Sequence, residues 1–261
     1  MRRAGIWVVV AALIAPLIPL VLWSVARGWR FPDVLPPQIS MAPFAYVFGP
    51  VSGVLPALGT TVMVAAMTTA LALLLGVPAG RVLGMQRFRG RMFAEAIVLA
   101  PIVVPGIAVV LGLHGVFIGL GLTNTVAGVV LAHLIPVLPY VILVMAGVFA
   151  NFDKGLEDQA RSLGANGWQV MWHVTRPGVA GGIMVAGLFA FLVSTGQYIL
   201  TLVIGGGRVE TLPLLLFSFA SAGRHDIAGA IGVIYVLPGV VILLWTARRI
   251  TGQGAALVVR P

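Results

Sequence analysis

The sequence predicts an all-α integral membrane protein, and three observations carry that prediction. Only 9% of its 261 residues are charged, where a soluble domain has about 25%, while 60% are hydrophobic and mean hydropathy is +1.08. So few charges cannot cover a globular surface. Apolar runs of ~20 residues recur along the whole chain, as helices spanning ~30 Å of hydrocarbon require. The alternating segments of ~10 residues that mark transmembrane strands are not visible. The chain has no cysteine, which excludes a disulfide framework and thiol chemistry.

Six runs qualify as spans. The first, residues 6–26, follows Arg2 and Arg3 and competes with a signal peptide; its length and its Pro16 and Pro19 favour a retained helix. The others cover residues 54–79, 93–118, 125–149, 179–204 and 227–247. Residues 1–261 therefore read as one transmembrane domain with a polar loop at 150–177. The proline-rich segment 28–50, with Pro32, Pro36, Pro37, Pro43 and Pro50, is expected to be mostly irregular. No repeat of fixed period and no inverted repeat is evident.

Charge sets the orientation. An even number of spans puts both termini on one side. That side collects Arg2, Arg3, Arg81, Arg87, Arg89, Arg91, Lys154, Arg161, Arg176, Arg248, Arg249 and Arg260, twelve basic residues against four (Arg27, Arg30, Arg208 and Arg224) on the other. Both termini and the 150–177 loop are thus expected in the cytoplasm. The net charge of +9 reads as this topology signal. A nucleic-acid surface is disfavoured, because the arginines sit at span ends and no soluble domain presents them. Arg91 and Glu95, at i,i+4, are spaced to pair at the membrane edge.

The loop is the longest polar interruption in the second half of the chain. Residues 156–163 can form two helical turns, with Asn151 or Asp153 as N-cap and Glu157 and Asp158 early, where negative charge suits the helix dipole. Leu156, Ala160 and Leu163 share a face. Gly164 supplies the positive φ that ends the helix. A second stretch, 168–175, leads to Pro177 at the start of the fifth span. The residues thus describe an amphipathic elbow at the membrane surface. Chemically it suits lipid headgroups or a protein partner equally.

The same residues resemble the "EAA" motif of bacterial ABC importer permeases: Glu-Ala-Ala, three residues, Gly, nine residues, Ile-x-Leu-Pro. Asp158-Gln159-Ala160 stands at the triplet, Gly164 is in register and followed by Ala165, and Val174-Thr175-Arg176-Pro177 stands at the close. Asp158, Gln159, Val174 and Arg176 depart from the pattern, while its spacing is intact. The segment 88–91, Phe-Arg-Gly-Arg, is also similar. The resemblance implies a six-helix type I importer permease with a cytoplasmic coupling helix between spans four and five. It implies partner ATPase subunits that bind ATP and Mg, a second permease subunit as homo- or heterodimer, and a periplasmic or extracellular solute-binding protein, all at the bacterial inner membrane. Asp158 would meet a basic residue of the ATPase. Leu156, Ala160, Leu163, Gly164 and Ala165 would form the apolar contact, with Trp168 anchored at the membrane edge. No Walker A pattern occurs, and Gly205-Gly-Gly-Arg208 is not one, so ATP hydrolysis is expected in trans and no catalytic residue, metal site or cofactor is expected here.

Polar residues inside spans mark the candidate pathway. The fifth span carries Ser194, Thr195, Gln197 and Tyr198; the fourth carries His133, flanked by Pro136 and Pro139, expected to break the helix; the third carries Pro101, Pro105 and His114. Each can equally serve helix packing, the role expected for Thr60 and Thr61. The layout resembles the polyamine, thiamine, iron and sulfate branch of the family. No acidic residue lies mid-span, which disfavours a polycation. Residues 194–198 and 205–213 resemble permeases of a thiamine-like or iron-like importer, and residues 212–222 are a plausible face for the binding protein. An ion-coupled secondary transporter is the alternative, but it needs an intramembrane carboxylate or a broken-helix ion site, and the carboxylate is absent. An assembly factor would explain the spans but not the loop.

Overall fold

A computed structural model describes Ala12, residues 15–30 and residues 32–258, with side chains described through Arg249. Residues 6–11, 13 and 14 of the expected first span, with Arg2 and Arg3, lie outside the described residues, as does Arg260. The elements are α1 (Leu17–Val25), β1 (Ala26–Arg27), β2 (Gln38–Ile39), α2 (Ala42–Val47), α3 (Val54–Met85), α4 (Arg91–Val103), α5 (Gly106–Gly119), α6 (Val126–Ala150), α7 (Lys154–Ser162), α8 (Gly167–Val170), α9 (Arg176–Thr195), α10 (Ile199–Gly205), α11 (Leu212–Ser221) and α12 (His225–Val258). A π-helical turn, Met171–Thr175, joins α8 to α9 without a break.

Among the described residues, four helices are long and apolar enough to cross a membrane: Val54–Met85, Val126–Ala150, Gly167–Thr195 and His225–Arg249. The expected third span is not one straight helix. Pro101 and Pro105 remove ladder donors, and the chain bends by 102° between α4 and α5; taken as one span, the pair makes a fifth. The expected fifth span starts earlier and ends at Thr195, with Ile199–Gly205 beyond a break. The expected break at Pro136 and Pro139 does not occur. Both lie inside a continuous α6, which neighbouring helices pack against and hold together. The segment after Arg27 is less irregular than expected, carrying a two-residue antiparallel ladder, Ala26 to Ile39 and Arg27 to Gln38, and then α2.

The chain divides into two compact units. The first holds the N-terminal segment, the start of α3, α11 and the first half of α12. Its core gathers Val47, Val54, Ala57, Leu212, Ile227 and Ile231. Thr61 stitches it: its hydroxyl donates to Ala57 O (2.7 Å) and accepts from Leu212 N (2.8 Å). Thr60 also donates within its own helix, to Pro56 O.

The second unit, residues 63–209 and 241–261, is organised around α6. Some 56% of the most apolar stretch of α6 is buried, against 28–39% for the same stretch of the other three, and α6 packs on α4, α9 and α10. Its start is fixed by Thr125, whose hydroxyl accepts from Gly128 N (3.0 Å). Gly76, Gly80 and Gly84 of α3 line one stripe facing it. A Cβ added at Gly80 would lie 3.0 Å from both Ala146 N and Ile142 O, and one at Gly84 would press on Ala146 O. Two backbones thus approach more closely than side chains allow, as small residues at four-residue spacing permit in membranes. Gly80→Val should destabilise the purified protein by about 1–3 kcal/mol, the usual cost of overpacking, measured by thermal unfolding in detergent. The same change at Gly59, where an added Cβ meets nothing within 4 Å, should leave it unchanged.

Candidate functional site

Two constructions in the second unit carry the polar chemistry. The first is the elbow. Asp153 is the N-cap of α7, its carboxylate accepting from Gly155 N at 2.8 Å. The helix ends in a Schellman pattern: Gly164 N donates to Arg161 O (2.9 Å) and Ala165 N to Ala160 O (3.0 Å). Gly164 adopts φ +89, where any side chain is strained. Two residues on, Asn166 and Gln169 form a reciprocal capping box at 2.9 and 2.8 Å that starts α8. Pro177 is the second residue of α9, just past the π turn, its nitrogen carrying no hydrogen to continue the ladder.

What fixes the elbow to the spans is a residue that the sequence reading placed only in the helix dipole. Glu157 is 1% exposed. Arg81 Nη2, from the end of α3, donates to both of its oxygens at 2.8 and 2.7 Å. Thr175 Oγ1, from the π turn, donates to Oε1 at 2.5 Å, and Arg161 Nη2 donates to Oε2 at 3.2 Å. A buried carboxylate is tolerable only when paired and hydrogen-bonded, and here three elements converge to satisfy it. Asp158 lies on the other side of the helix, exposed, held only by Arg161 Nη1 at 2.9 Å.

Several apolar side chains of the elbow are left exposed. Leu163 is 89% exposed, Trp168 70% and Leu156 47%, while Ala160 and Ala165 are half-buried. The elbow therefore buries its acidic anchor and presents apolar side chains outward, the reverse of a free-standing soluble helix. Arg91 and Glu95 pair as the spacing predicts, Nε to Oε1 at 2.8 Å.

The second construction lies where two helix breaks meet. A cavity of about 290 Å³ is lined by Pro101 and Gly106 from the α4–α5 bend, Pro136 from α6, and Gly196, Gln197 and Tyr198 from the α9–α10 break. The first N–H groups of α5 have no intrahelical acceptor, and no side chain caps them. Gln197 Nε2 donates to Val193 O (3.0 Å). No charged side chain lines the cavity.

His133 and Ser194 lie behind that wall, fully buried, rather than on it. His133 Nδ1 is 3.0 Å from Ser194 Oγ and Nε2 is 2.9 Å from Thr201 Oγ1. Thr201 spends its hydrogen on Gln197 O at 2.7 Å. Thr201 must then accept from His133, so the proton sits on Nε2 and Ser194 donates to Nδ1. This neutral chain ties α6 to both sides of the break and fixes the carbonyl of Gln197. Thr195 bonds only to Leu192 O, and His114 lies half-buried on α5, apart from the cavity wall.

Hydrocarbon-length helices, two of them broken at one cavity, define a multi-pass α-helical membrane protein. A family model described as "Binding-protein-dependent transport system inner membrane component" matches residues 76–251. The molybdenum transport system permease protein ModB of Mycobacterium tuberculosis is 32% identical over 208 residues, 74% of this chain and 78% of that protein. The putrescine transport system permease protein PotI of Escherichia coli is 28% identical over 193 residues, 68% of this chain and 69% of that one. The sulfate transport system permease protein CysW of Synechocystis is 28% identical over 204 residues, 72% and 74%. Among solved structures, a bacterial ABC transporter involved in import of the acidic polysaccharide alginate shares the fold. Its TM-score is 0.69 at 18% identity, covering 95% of this chain and 94% of that one. The chain belongs to the family of binding-protein-dependent inner membrane transport components, the permease subunits of ABC importers.

Two outcomes test the site. Removing the Glu157 carboxylate (Glu157→Gln) leaves Arg81 without its counter-charge. The loss should be about 3 kcal/mol, the low end for a broken buried pair because Arg81 is 27% exposed. A cycle with Arg81→Gln, read by thermal unfolding, should show strongly non-additive losses. Thr201→Val removes the acceptor of the buried His133 N–H and should cost about 1–3 kcal/mol. Thr201→Ser should retain most of it.

Proposed function

We propose that the elbow is the coupling element through which a cytoplasmic ATPase subunit drives this permease. One observation carries the reading: α7 is pinned to two spans by a buried carboxylate while Leu156, Leu163 and Trp168 face outward. A helix that only rested on lipid would have no need of a buried ionic anchor. Asp158, exposed beside the apolar contact, is the charge presented to a basic residue of the ATPase. The twelve-to-four bias of basic residues supports a cytoplasmic side for the elbow and both termini. With α4 and α5 as one broken span and residues 6–26 as the first, the chain crosses six times. A second permease subunit completes the pathway, and a solute-binding protein delivers the substrate.

The cavity between the helix breaks is the section of the pathway that this subunit contributes, with Gln197 and Tyr198 on its wall and His133 and Ser194 as supports. The substrate class that fits best is a small oxyanion. Two of the named relatives transport molybdenum and sulfate. The cavity carries no carboxylate to hold a polycation, and uncapped amides at a helix start suit an anion.

Co-purification with the cognate ATPase tests the coupling reading. Asp158→Lys and Gly164→Trp should each abolish the complex and its stimulated ATP hydrolysis. Gly164→Asn, which tolerates the same φ, should keep both. Survival of complex and stimulation in both disruptive variants would sink it. For the substrate, cells carrying the intact transporter should accumulate radiolabelled sulfate or molybdate and leave putrescine outside; the opposite preference refutes the oxyanion reading.

A further inference from the structure

Arg176 stands where the resembled motif has leucine, and neither the elbow nor the pathway uses it. Its guanidinium lies 4.3 Å over the ring of Trp172, which in turn packs on Trp168 at 5.4 Å. Arg176 is exposed and forms no ion pair among the described residues. The cations around it are otherwise matched: Arg81 by Glu157, and Arg161 by Glu157 and Asp158.

Directly beside this uncompensated charge runs a groove of about 580 Å³ between α3 and the root of α9. Leu73, Leu74 and Val77 line it together with Trp168, Trp172 and Arg176, and so does Arg81, whose charge Glu157 already pairs. Leu74 is 70% exposed. Tryptophan and arginine at a span end mark the water–hydrocarbon boundary, so the groove enters the bilayer from that boundary.

We propose that this groove is a binding site for an anionic phospholipid of the leaflet on the elbow's side. The phosphate pairs with Arg176, the Trp168–Trp172 pair covers the glycerol region, and one acyl chain lies along Leu73, Leu74 and Val77. One ligand must supply both a negative charge at the rim and hydrocarbon beneath it, and a phospholipid joins the two within the length of the groove. A neutral lipid would leave Arg176 uncompensated. A protein partner would need a carboxylate at that point above a mostly apolar ridge. Thr175, adjacent to Arg176, donates to Glu157, so the lipid sits one residue from the anchor of the elbow.

Native mass spectrometry of the delipidated full-length protein tests the site, with phosphatidylglycerol and phosphatidylcholine of identical chains as probes. Wild type should retain one phosphatidylglycerol with about fivefold preference, the factor that one basic residue provides near an anionic surface. Arg176→Leu should erase that preference, and Arg89→Leu, in the exposed basic turn before α4, should not. Leu74→Trp should weaken retention of both lipids. Equal retention by wild type, or an unchanged preference in Arg176→Leu, overturns the proposal. The chain has no cysteine, so Leu74→Cys reports the occupant in native membranes. Efficient cross-linking there to another protein chain would show that protein, not lipid, fills the groove; labelling by a thiol-reactive lipid probe supports the proposal.

Discussion

A single carboxylate, Glu157, decides how the polar part of this molecule is attached to the apolar part. It is buried at the junction of α3, α7 and the π turn, and each of those elements supplies it with a donor. An ionised group in that position is costly unless every partner is present. The three elements therefore come together or not at all. Because the charge is satisfied inward, α7 is free to turn its leucines outward. An ordinary amphipathic helix would bury those leucines and expose its acids, and it would then have nothing to offer a partner except charge.

The membrane-embedded part follows a different rule. Water is absent there, so contact depends on how closely backbones approach and on whether polar groups find each other. Gly76, Gly80 and Gly84 bring α3 onto α6, and the His133 chain holds α6 to the segment around Gly196. Close packing and a neutral hydrogen-bonded chain thus surround the one region where helices are interrupted. The interruption survives because its carbonyls and amides are held by neighbours or open onto the cavity.

Much of this was legible in residue order. Apolar run length located α3, α6, α9 and α12, since hydrocarbon thickness dictates helix length. Asp153, Gly164 and Pro177 marked the elbow because cap chemistry and φ constraints are local. Asn166 and Gln169 carried an equally local capping signal three residues apart. Other features depend on neighbours. Pro136 and Pro139 read as breakers, yet surrounding helices keep α6 continuous. Pro105, the same residue type, stands at a break in its span. Glu157 and Asp158 are adjacent acids with the same intrinsic chemistry; only the placement of Arg81, 76 residues away in sequence, makes one the anchor and leaves the other exposed.

The unbroken run from Gly167 through the π turn to Thr195 gives the molecule a lever. At 1.5 Å per residue its 29 residues form a rod about 43 Å long. One end is the elbow and the other abuts Gly196, at the wall of the cavity. Tilting such a rod by about 5° moves its far end by about 4 Å, more than the diameter of a water molecule. The Glu157 cluster meets the rod at Thr175, near its elbow end. A displacement of the elbow end would therefore be carried to the helix break by a helix that runs without interruption between them.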